Sequence, residues 1–276
     1  MYFHKKLYLC TMKFSVITIN YNNAAGLGHT IDSVISQTCT DFEFIVIDGG
    51  STDSSIDIIN SNATKIDFWL SEKDSGIYNA MNKGINHANG DYCVFMNSGD
   101  CFFCDTVLET ITKCDSEADI IVGKVVIDEK GNIISPPPSS GKLTFYHLYS
   151  GAIPHQGAFI RTSLLRKYPY DETLKITADW KFFVQSLVFD NCSISFLDEY
   201  VAKYNLDGVS SSNPELMRHE KEQVMFSMFP IRVLEDYKRI KESECLTLTL
   251  TPALKKHYRI DRLLYKLGKF LLKHLK

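Results

Sequence analysis

The sequence of 276 residues lacks any uninterrupted run of 18 apolar residues, which a membrane-spanning helix would need. Near its start the only apolar stretch is Leu7 to Cys10, too short for the core of a secretion signal. Apolar residues make up 45% and charged residues 23%, ordinary globular values that exclude a disordered or collagen-like chain. We therefore expect a cytoplasmic protein in which residues 1–11 are a leader, disordered or not, ahead of the folded domain.

The eight cysteines do not form a disulfide framework, because they are scattered through a long chain. Cys101 and Cys104 form the one CxxC pair, and no second pair or suitably spaced histidines follow to complete a zinc site. We expect reduced, mostly packed thiols.

Several nucleotide and hydrolase motifs are also absent. Gly26-Leu27-Gly28 suggests a dinucleotide fingerprint, but Ile31 stands where its third glycine is required. Neither G-x-x-x-x-G-K-[ST] nor G-x-S-x-G occurs, which argues against a P-loop enzyme and an α/β hydrolase.

The hydrophobic pattern predicts alternating strands and helices. Strands are predicted at Lys13–Asn20 and Phe42–Asp48 with a helix over Ala24–Gln37 between them, which is a βαβ unit and implies a parallel sheet. Further elements are predicted in order: a helix at Ser51–Ile59, a helix at Ile77–Ala88, strands at Asp91–Met96 and Asp119–Val126, and a helix around Asp179–Leu187.

Polar clusters follow three of the predicted strands. They are Thr18, Asn20 and Asn22 for the first, residues 48–53 (DGGSTD) for the second and residues 97–100 (NSGD) for the third. Because ligands bind outside the carboxyl ends of the strands in open α/β sheets, these clusters predict one shared site.

Three segments together carry a recognisable set of motifs: FSVITINYNNAAGLGHTIDSVISQT, FEFIVIDGGSTDSS and SEKDSGIYNAMNKGINHANGDYCVFMNSGD. They resemble the family 2 inverting glycosyltransferases of GT-A fold, especially bacterial enzymes that build capsule, exopolysaccharide or O-antigen. The resemblance covers about residues 13–210. It implies an α/β fold, a Rossmann-like mixed sheet flanked by helices, in a single catalytic domain at 12–215. A C-terminal helical region at 216–276 would follow.

The resemblance also implies a nucleotide site. A carboxylate aimed at the imide N–H of uracil would favour uridine, and Asp48 matches the family's candidate for that role. Thr18 and Asn20 resemble the wall of the base pocket, while Asp53 is a nucleotide-binding candidate or a helix cap.

The EKDSGIYNAMNKG segment supplies further candidates for the nucleotide. Asp74 resembles the nucleotide-proximal Asp of the family, and Gly76 would let the backbone approach closely. Lys83 is either a partner of the diphosphate or a solvated helix lysine.

The family's D-x-D element falls on Asn97-Ser98-Gly99-Asp100, with Asn97 in place of the first Asp. Asp100 is then the expected carboxylate ligand of Mg²⁺ or Mn²⁺, and Asn97 would contact the ribose or a metal-bound water. The substitution leaves open how strictly the reaction needs a metal.

The segment Ile176-Thr177-Ala178-Asp179-Trp180 matches the position of the family's catalytic base. Asp179 is our candidate for the base, with the N-cap of the following helix as an alternative that does not exclude catalysis. His155, in Pro154-His155-Gln156-Gly157, is expected to hydrogen-bond in the donor and acceptor pocket, and Trp180 to stack on a sugar or pack in the core.

The C-terminal tail, residues 252–276, has eight basic residues and one acidic residue in a chain of net charge −3. Its leucines recur at helical spacing, so it is expected either to lie on an anionic membrane surface or to dock on its own domain.

From this resemblance we expect a metal-assisted transferase that uses a UDP-sugar. It is expected to add a single sugar, because the Q-x-x-R-W element and the membrane helices of processive members are absent. A glycan on a polyprenyl-diphosphate lipid, at the inner face of the cell membrane, is the expected acceptor, and no nucleic acid is expected as a partner. The alternatives are a catalytically idle nucleotide-sugar-binding scaffold and a nucleotide-sugar hydrolase on the same fold.

Overall fold

A computed structural model describes residues 13–114, 116–126, 143–204, 213–255 and 267, with side chains described only to residue 244 within the last helix. The chain forms two compact units, the first ending at Glu222 and the second beginning at Gln223. The predicted leader at 1–11 lies outside the described residues, as does nearly all of the basic tail. The predicted boundary at 215/216 stays a prediction.

The amino-terminal half of the first unit alternates strands and helices. In chain order its elements are β1 (Phe14–Asn20), α1 (Ala24–Ile35), β2 (Phe42–Asp48), α2 (Ser55–Ser61), β3 (Phe68–Ser71), α3 (Ile77–His87), β4 (Tyr92–Phe95), β5 (Cys101–Phe102) and α4 (Val107–Lys113). Strands β3, β2, β1 and β4 are neighbours and run parallel, so the predicted βαβ unit is confirmed.

The remaining elements extend the sheet with mixed strand directions. They are β6 (Ile120–Val126), α5 (Phe145–Ser150), β7 (Ala158–Arg161), α6 (Thr162–Lys167), α7 (Ala178–Val184), β8 (Ile194–Lys203), α8 (Pro214–Met228) and α9 (Ile231–Lys255). The eight strands lie in the order β3-β2-β1-β4-β7-β6-β8-β5, and β7 runs antiparallel to both β4 and β6. This is the mixed α/β sheet with flanking helices that the sequence predicts.

Helices cover both faces of the parallel strands. On α1 the apolar residues Leu27, Ile31 and Val34 recur at helical spacing and are fully buried. Helix α3 packs on β1 so closely that a Cβ added to Gly84 would lie 2.5 Å from Cγ2 of Ile17. Glycine is therefore the residue that permits this helix-to-strand distance.

Two predicted elements differ from the structure. The helix predicted at Ser51–Ile59 begins only at Ser55, because the preceding residues form a turn around Asp48. Strand β3 was not predicted. It has four residues, and its Trp69 is 37% exposed at the sheet edge, so it lacks the continuous apolar run of a central strand.

The six cysteines whose side chains the structure describes are free thiols, as predicted. Among the described helices, none is long and apolar enough to cross a bilayer. In the second unit, α9 is 25 residues long and exposes Ile231 and Ile240.

Candidate active site

The polar residues that follow β1, β2 and β4 meet at one edge of the sheet. Asn20 and Asp48 are register partners at the ends of adjacent strands, and Asn20 Nδ2 donates to Asp48 Oδ1 at 2.8 Å. Thr30 Oγ1 on α1 donates to the carbonyl oxygen of Asp100 at 2.7 Å. The backbone N–H of Ser98 donates to the carbonyl oxygen of Ile19, the residue before Asn20, at 3.0 Å. The structure therefore brings the three predicted clusters together.

Asp48 is the centre of the turn that follows β2. Its carboxylate is fully buried and accepts hydrogen bonds from the Ser51 and Ser71 hydroxyls at 2.6 and 2.7 Å, besides the one from Asn20. The backbone N–H groups of Gly50 and Ser51 also donate to it. Burial by itself would raise the pKa of Asp48, but these hydrogen bonds outweigh burial and lower it. For Asp48 to accept from the imide N–H of uracil, the hydroxyl of Ser51 or Ser71 would have to turn away from it. The predicted role of Asp48 in binding uracil stays a prediction.

The other candidates from the first two strands have different environments. Thr18 is fully buried within β1, and its Oγ1 has no hydrogen-bond partner among the described residues. Asp53 is exposed, and its two oxygens accept from the backbone N–H groups of Ala24 and Ser55 at 2.9 and 3.0 Å. Asp53 thus joins the start of α1 to the start of α2, a capping contact of the kind the sequence left open.

Lys83 lies between two carboxylates. Its Nζ is 2.5 Å from Asp74 Oδ1 and 2.8 Å from Glu72 Oε1. Burial would lower the pKa of Lys83, but the two carboxylates raise it. The lysine therefore holds Asp74 in place, and its charge is already compensated before any diphosphate arrives. Its predicted contact with the diphosphate stays a prediction.

Two glycines shape the backbone beside Asp74. A Cβ added to Gly49 would lie 3.0 Å from Asp74 Oδ2 and 3.2 Å from Cδ2 of Tyr21, so both side chains flank this glycine. Gly76 has a φ of +147°, which L side chains rarely adopt, and no described atom would lie within 4 Å of its Cβ. No described atom thus crowds the backbone of Gly76 on the side where a Cβ would lie.

Asp179 lies in the first turn of α7 and faces two residues from distant segments. Its Oδ2 lies 3.1 Å from His155 Nδ1, and its Oδ1 accepts from the Tyr78 hydroxyl at 3.0 Å. The N-cap position of α7 is occupied by Thr177, so the alternative that Asp179 is the N-cap residue is wrong. The carboxylate is thereby held at the site, with 20% of the side chain exposed.

The ionisation of Asp179 and His155 is coupled. Burial would raise the pKa of Asp179, but the hydrogen bond and charge of His155 lower it. Burial would lower the pKa of His155, but Asp179 raises it, with a contribution from the charge of Asp100. A carboxylate with a lowered pKa is ionised at neutral pH and can accept a proton.

Asn97 connects this pair to the loop after β4. Its Nδ2 lies 3.2 Å from His155 Nε2, and its Oδ1 is buried with no hydrogen-bond partner among the described residues. Asp100 in the same loop is 5% exposed. Carboxylate and amide oxygens are donors that Mg²⁺ and Mn²⁺ accept, so these residues fit such an ion.

Within the described ranges, no group of three or more His, Cys, Asp and Glu side chains could hold a metal alone. An ion at Asp100 would therefore need further oxygen ligands, which water and the phosphates of a substrate commonly supply to Mg²⁺.

Two tyrosines of the site were not identified from the sequence. Tyr21 follows β1 directly and is 66% exposed. Tyr78 is 5% exposed and contacts Asp179 across 101 positions of the chain, so no local pattern could reveal it. Trp180 is buried and its Nε1 donates to the carbonyl oxygen of Leu148, which gives it the core role of its two alternatives.

Comparison with protein families and sequences identifies relatives of this chain. The model of the family described as "Glycosyl transferase family 2" matches residues 15–174. A "PGL/p-HBAD biosynthesis glycosyltransferase" of Mycobacterium bovis is 30% identical over 199 residues, which is 70% of this chain and 76% of the relative. A glycosyltransferase of Mycobacterium tuberculosis is 31% identical over 204 residues, which is 71% of this chain and 76% of the relative.

Solved structures show the same fold. TarS of S. aureus (residues 1–349), in complex with UDP, matches 70% of this chain with a TM-score of 0.59 at 24% identity, and the match spans 60% of that chain. The mannosyltransferase PcManGT of Pyrobaculum calidifontis, in complex with GDP-Man and Mn²⁺, matches 69% of this chain and 56% of its own, with a TM-score of 0.52 at 17% identity. These matches confirm the predicted GT-A fold.

Proposed function

Because the chain belongs to glycosyl transferase family 2, we propose that it transfers one sugar from a UDP-sugar to an acceptor hydroxyl with inversion at the anomeric carbon. The observation that supports this most is the position of Asp179. Its ionised carboxylate lies beside His155, which in turn reaches the Asn97–Asp100 loop where the donor diphosphate would bind.

The donor would bind at the carboxyl edge of β1 and β2. The exposed ring of Tyr21 offers a surface on which a base can stack, and it lies beside Gly49 and the Asp74 carboxylate. Asp48 and Asn20 would form the floor of this pocket, with Thr18 behind them. The structures of TarS with UDP and with UDP-GlcNAc support uridine as the base for a protein of this fold.

A divalent cation, Mg²⁺ or Mn²⁺, would stabilise the charge of the leaving diphosphate when bound. Asp100 would supply the carboxylate ligand, and the unpartnered Oδ1 of Asn97 would face a metal-bound water or the ribose. The PcManGT complex with Mn²⁺ supports this choice of ion.

The chemical step would follow from the placement of the base. The acceptor hydroxyl loses its proton to Asp179, and its oxygen forms a bond to the anomeric carbon from the face opposite the diphosphate. The bond from that carbon to the diphosphate oxygen breaks, and its electron pair leaves with the diphosphate. His155 and Tyr78 orient the carboxylate through their hydrogen bonds.

The acceptor would be a growing glycan on a polyprenyl-diphosphate lipid, in the assembly of a bacterial surface polysaccharide. The eight basic residues of the tail would hold the enzyme at the inner face of the cell membrane, where such lipids lie. The mycobacterial relative named for PGL/p-HBAD biosynthesis also acts, by its name, in building a glycosylated product.

Vesicle sedimentation tests the membrane proposal. The full chain should sediment with anionic vesicles, and the chain truncated after Thr251 should lose that binding. Equal sedimentation of both would overturn this part of the proposal.

Calorimetric titration of UDP, with and without Mn²⁺, tests the donor site. Binding should strengthen with Mn²⁺, and Asp100→Ala should lose that gain while it keeps the metal-independent binding. Asp105→Ala is a matched control, because this carboxylate lies beyond the proposed donor loop. Absence of UDP binding under every condition would overturn the choice of uridine.

Product analysis separates the alternatives. Transfer that depends on an added acceptor supports the transferase. Free sugar released at a rate that no acceptor changes would indicate a hydrolase, and UDP-sugar binding without any turnover would indicate a scaffold.

A further inference from the structure

The two oxygens of Asp179 differ in how many hydrogen bonds they accept. Oδ1 accepts from the Tyr78 hydroxyl at 3.0 Å and from the backbone N–H of Trp180 at 2.8 Å. Among the described residues, Oδ2 has a hydrogen bond only with His155, at 3.1 Å. A carboxylate offers about four acceptor positions, two on each oxygen. The remaining position is therefore on Oδ2.

Tyr78 is placed to act only as a donor to this carboxylate. It lies in the first turn of α3 and is 5% exposed. Burial, together with the neighbouring charge of Asp179, raises the pKa of Tyr78 well above its ordinary value, so the hydroxyl stays protonated. The ring is fixed by its neighbour Tyr170, with 5.5 Å between the ring centroids.

We propose that Tyr78 is a positioning residue for the base, because its hydroxyl occupies Oδ1 and leaves Oδ2 as the oxygen that accepts the acceptor's proton. This inference rests on the proposed role of Asp179. In the step, the O–H bond of the acceptor breaks, the proton goes to Oδ2, and the acceptor oxygen keeps the electron pair with which it attacks the anomeric carbon. Oδ1 of Asp179, which accepts the hydrogen bond from Tyr78, does not take part in the proton transfer.

The chain offers a matched control for the Tyr78 hydroxyl. The hydroxyl of Tyr170 is also buried, and it has no hydrogen-bond partner among the described residues. Tyr170→Phe therefore removes the same atom from the adjacent ring without breaking a hydrogen bond to Asp179. Both substitutions keep the aromatic ring, so both variants should fold.

Steady-state kinetics of the full chain tests the proposal. Tyr78→Phe should lower kcat about tenfold, the effect of losing one hydrogen bond to a charged group, with the KM for the UDP-sugar unchanged. Tyr170→Phe should keep the kcat and KM of the wild type. An unchanged kcat in Tyr78→Phe, or an equal loss in both variants, would overturn the proposal.

The pH profile of kcat gives a readout that a purely structural role would not move. The titratable groups that face Asp179 are Tyr78 on α3, His155 in the turn at 155–157, and Tyr170 in the segment before α7. The Tyr78 hydrogen bond lowers the pKa of Asp179, so its loss should shift the acidic limb of the profile to higher pH. Tyr170→Phe should leave that limb in place, and an unshifted limb in Tyr78→Phe would count against the proposal.

A double-mutant cycle tests the same contact without any activity. Tyr78→Phe should lower the midpoint of denaturant unfolding in the wild-type background and leave it nearly unchanged in the Asp179→Ala background. Equal effects in both backgrounds would overturn the inference. If the wild type shows no transfer, the proposed function fails, and this cycle still decides whether the Tyr78 hydroxyl is coupled to Asp179.

Discussion

Asp179 and His155 lie 24 positions apart in the chain, and 3.1 Å separates Oδ2 of the first from Nδ1 of the second. The other ring nitrogen faces Asn97, whose amide can present either its NH₂ group or its oxygen. With the NH₂ group donating to Nε2, the neutral imidazole has its proton on Nδ1 and donates it to Asp179. Rotation of the amide by half a turn would let Oδ1 of Asn97 accept from a protonated ring. Asn97 in place of the family's Asp is thus compatible with either charge state of His155.

The close contact between α3 and β1 predicts opposite effects for two glycine substitutions. Gly84→Ala should lower the free energy of unfolding by about 1–3 kcal/mol, because the new methyl group would overlap Ile17. Gly28→Ala on α1 should instead raise it by up to about 1 kcal/mol, because the nearest atom to its Cβ is 3.9 Å away. Chemical denaturation of both variants checks this, and a loss of stability in both would contradict the packing described here.

Asp171 should make the stability of the protein sensitive to acid. Burial would raise the pKa of Asp171, but Lys181 and Thr173 lower it from 3.8 to about 2. A group with a lowered pKa in the folded state stabilises the protein above its unfolded pKa, and that stability is lost as the pH falls through the folded pKa.

Asp171→Asn should therefore reduce the unfolding free energy by at most about 2 kcal/mol at neutral pH and by little at about pH 2. Asp32→Asn is a control, since this exposed carboxylate on α1 forms no ion pair among the described residues, and it should change stability at neither pH. Urea titrations at the two pH values measure both variants. An equal loss of unfolding free energy in Asp171→Asn at both pH values would show that the charge of Asp171 is not the source of its stabilising effect.

Tyr21 should contribute to UDP affinity through its ring. Base–aromatic stacking contributes about 1–3 kcal/mol, so Tyr21→Ala should weaken UDP binding by about fivefold or more, and Tyr21→Phe should keep it. Tyr200 is a control on another strand, because it is also exposed but stacks on Phe103. Calorimetric titration of UDP into Tyr21→Ala, Tyr21→Phe and Tyr200→Ala measures this. Tyr200→Ala should keep the affinity of the wild type, and an equal loss in Tyr200→Ala would show a general effect of losing a surface tyrosine.

The sequence predicts the parallel strands well because each is a short apolar run with a polar end. The predicted strand at Phe42–Asp48 has the observed bounds of β2, and the strand at Lys13–Asn20 differs from β1 by one residue. The edge strand β3 is not predicted from the hydrophobic pattern, since it has only four residues and its Trp69 is partly exposed.

The site is only partly predictable for a related reason. The resemblance selects Asp179 and His155 as candidates, since each lies in a recognisable segment. The contact of Tyr78 with Asp179 depends on how α3 packs against the segment before α7. Trp180 is buried and donates a hydrogen bond to Leu148, which lies 32 positions earlier in the chain. Long-range packing of this kind has no local signature.

The most direct test of the account is a parallel measurement of sugar transfer and UDP binding in Asp179→Asn. The variant keeps the shape of the side chain and loses the charge that accepts the proton. We expect transfer to fall by about 10²–10⁴-fold, the range for general base catalysis, with UDP affinity unchanged. Asp171→Asn, which alters a carboxylate outside the site, should retain transfer. Transfer at the wild-type rate in Asp179→Asn would contradict the assignment of the base.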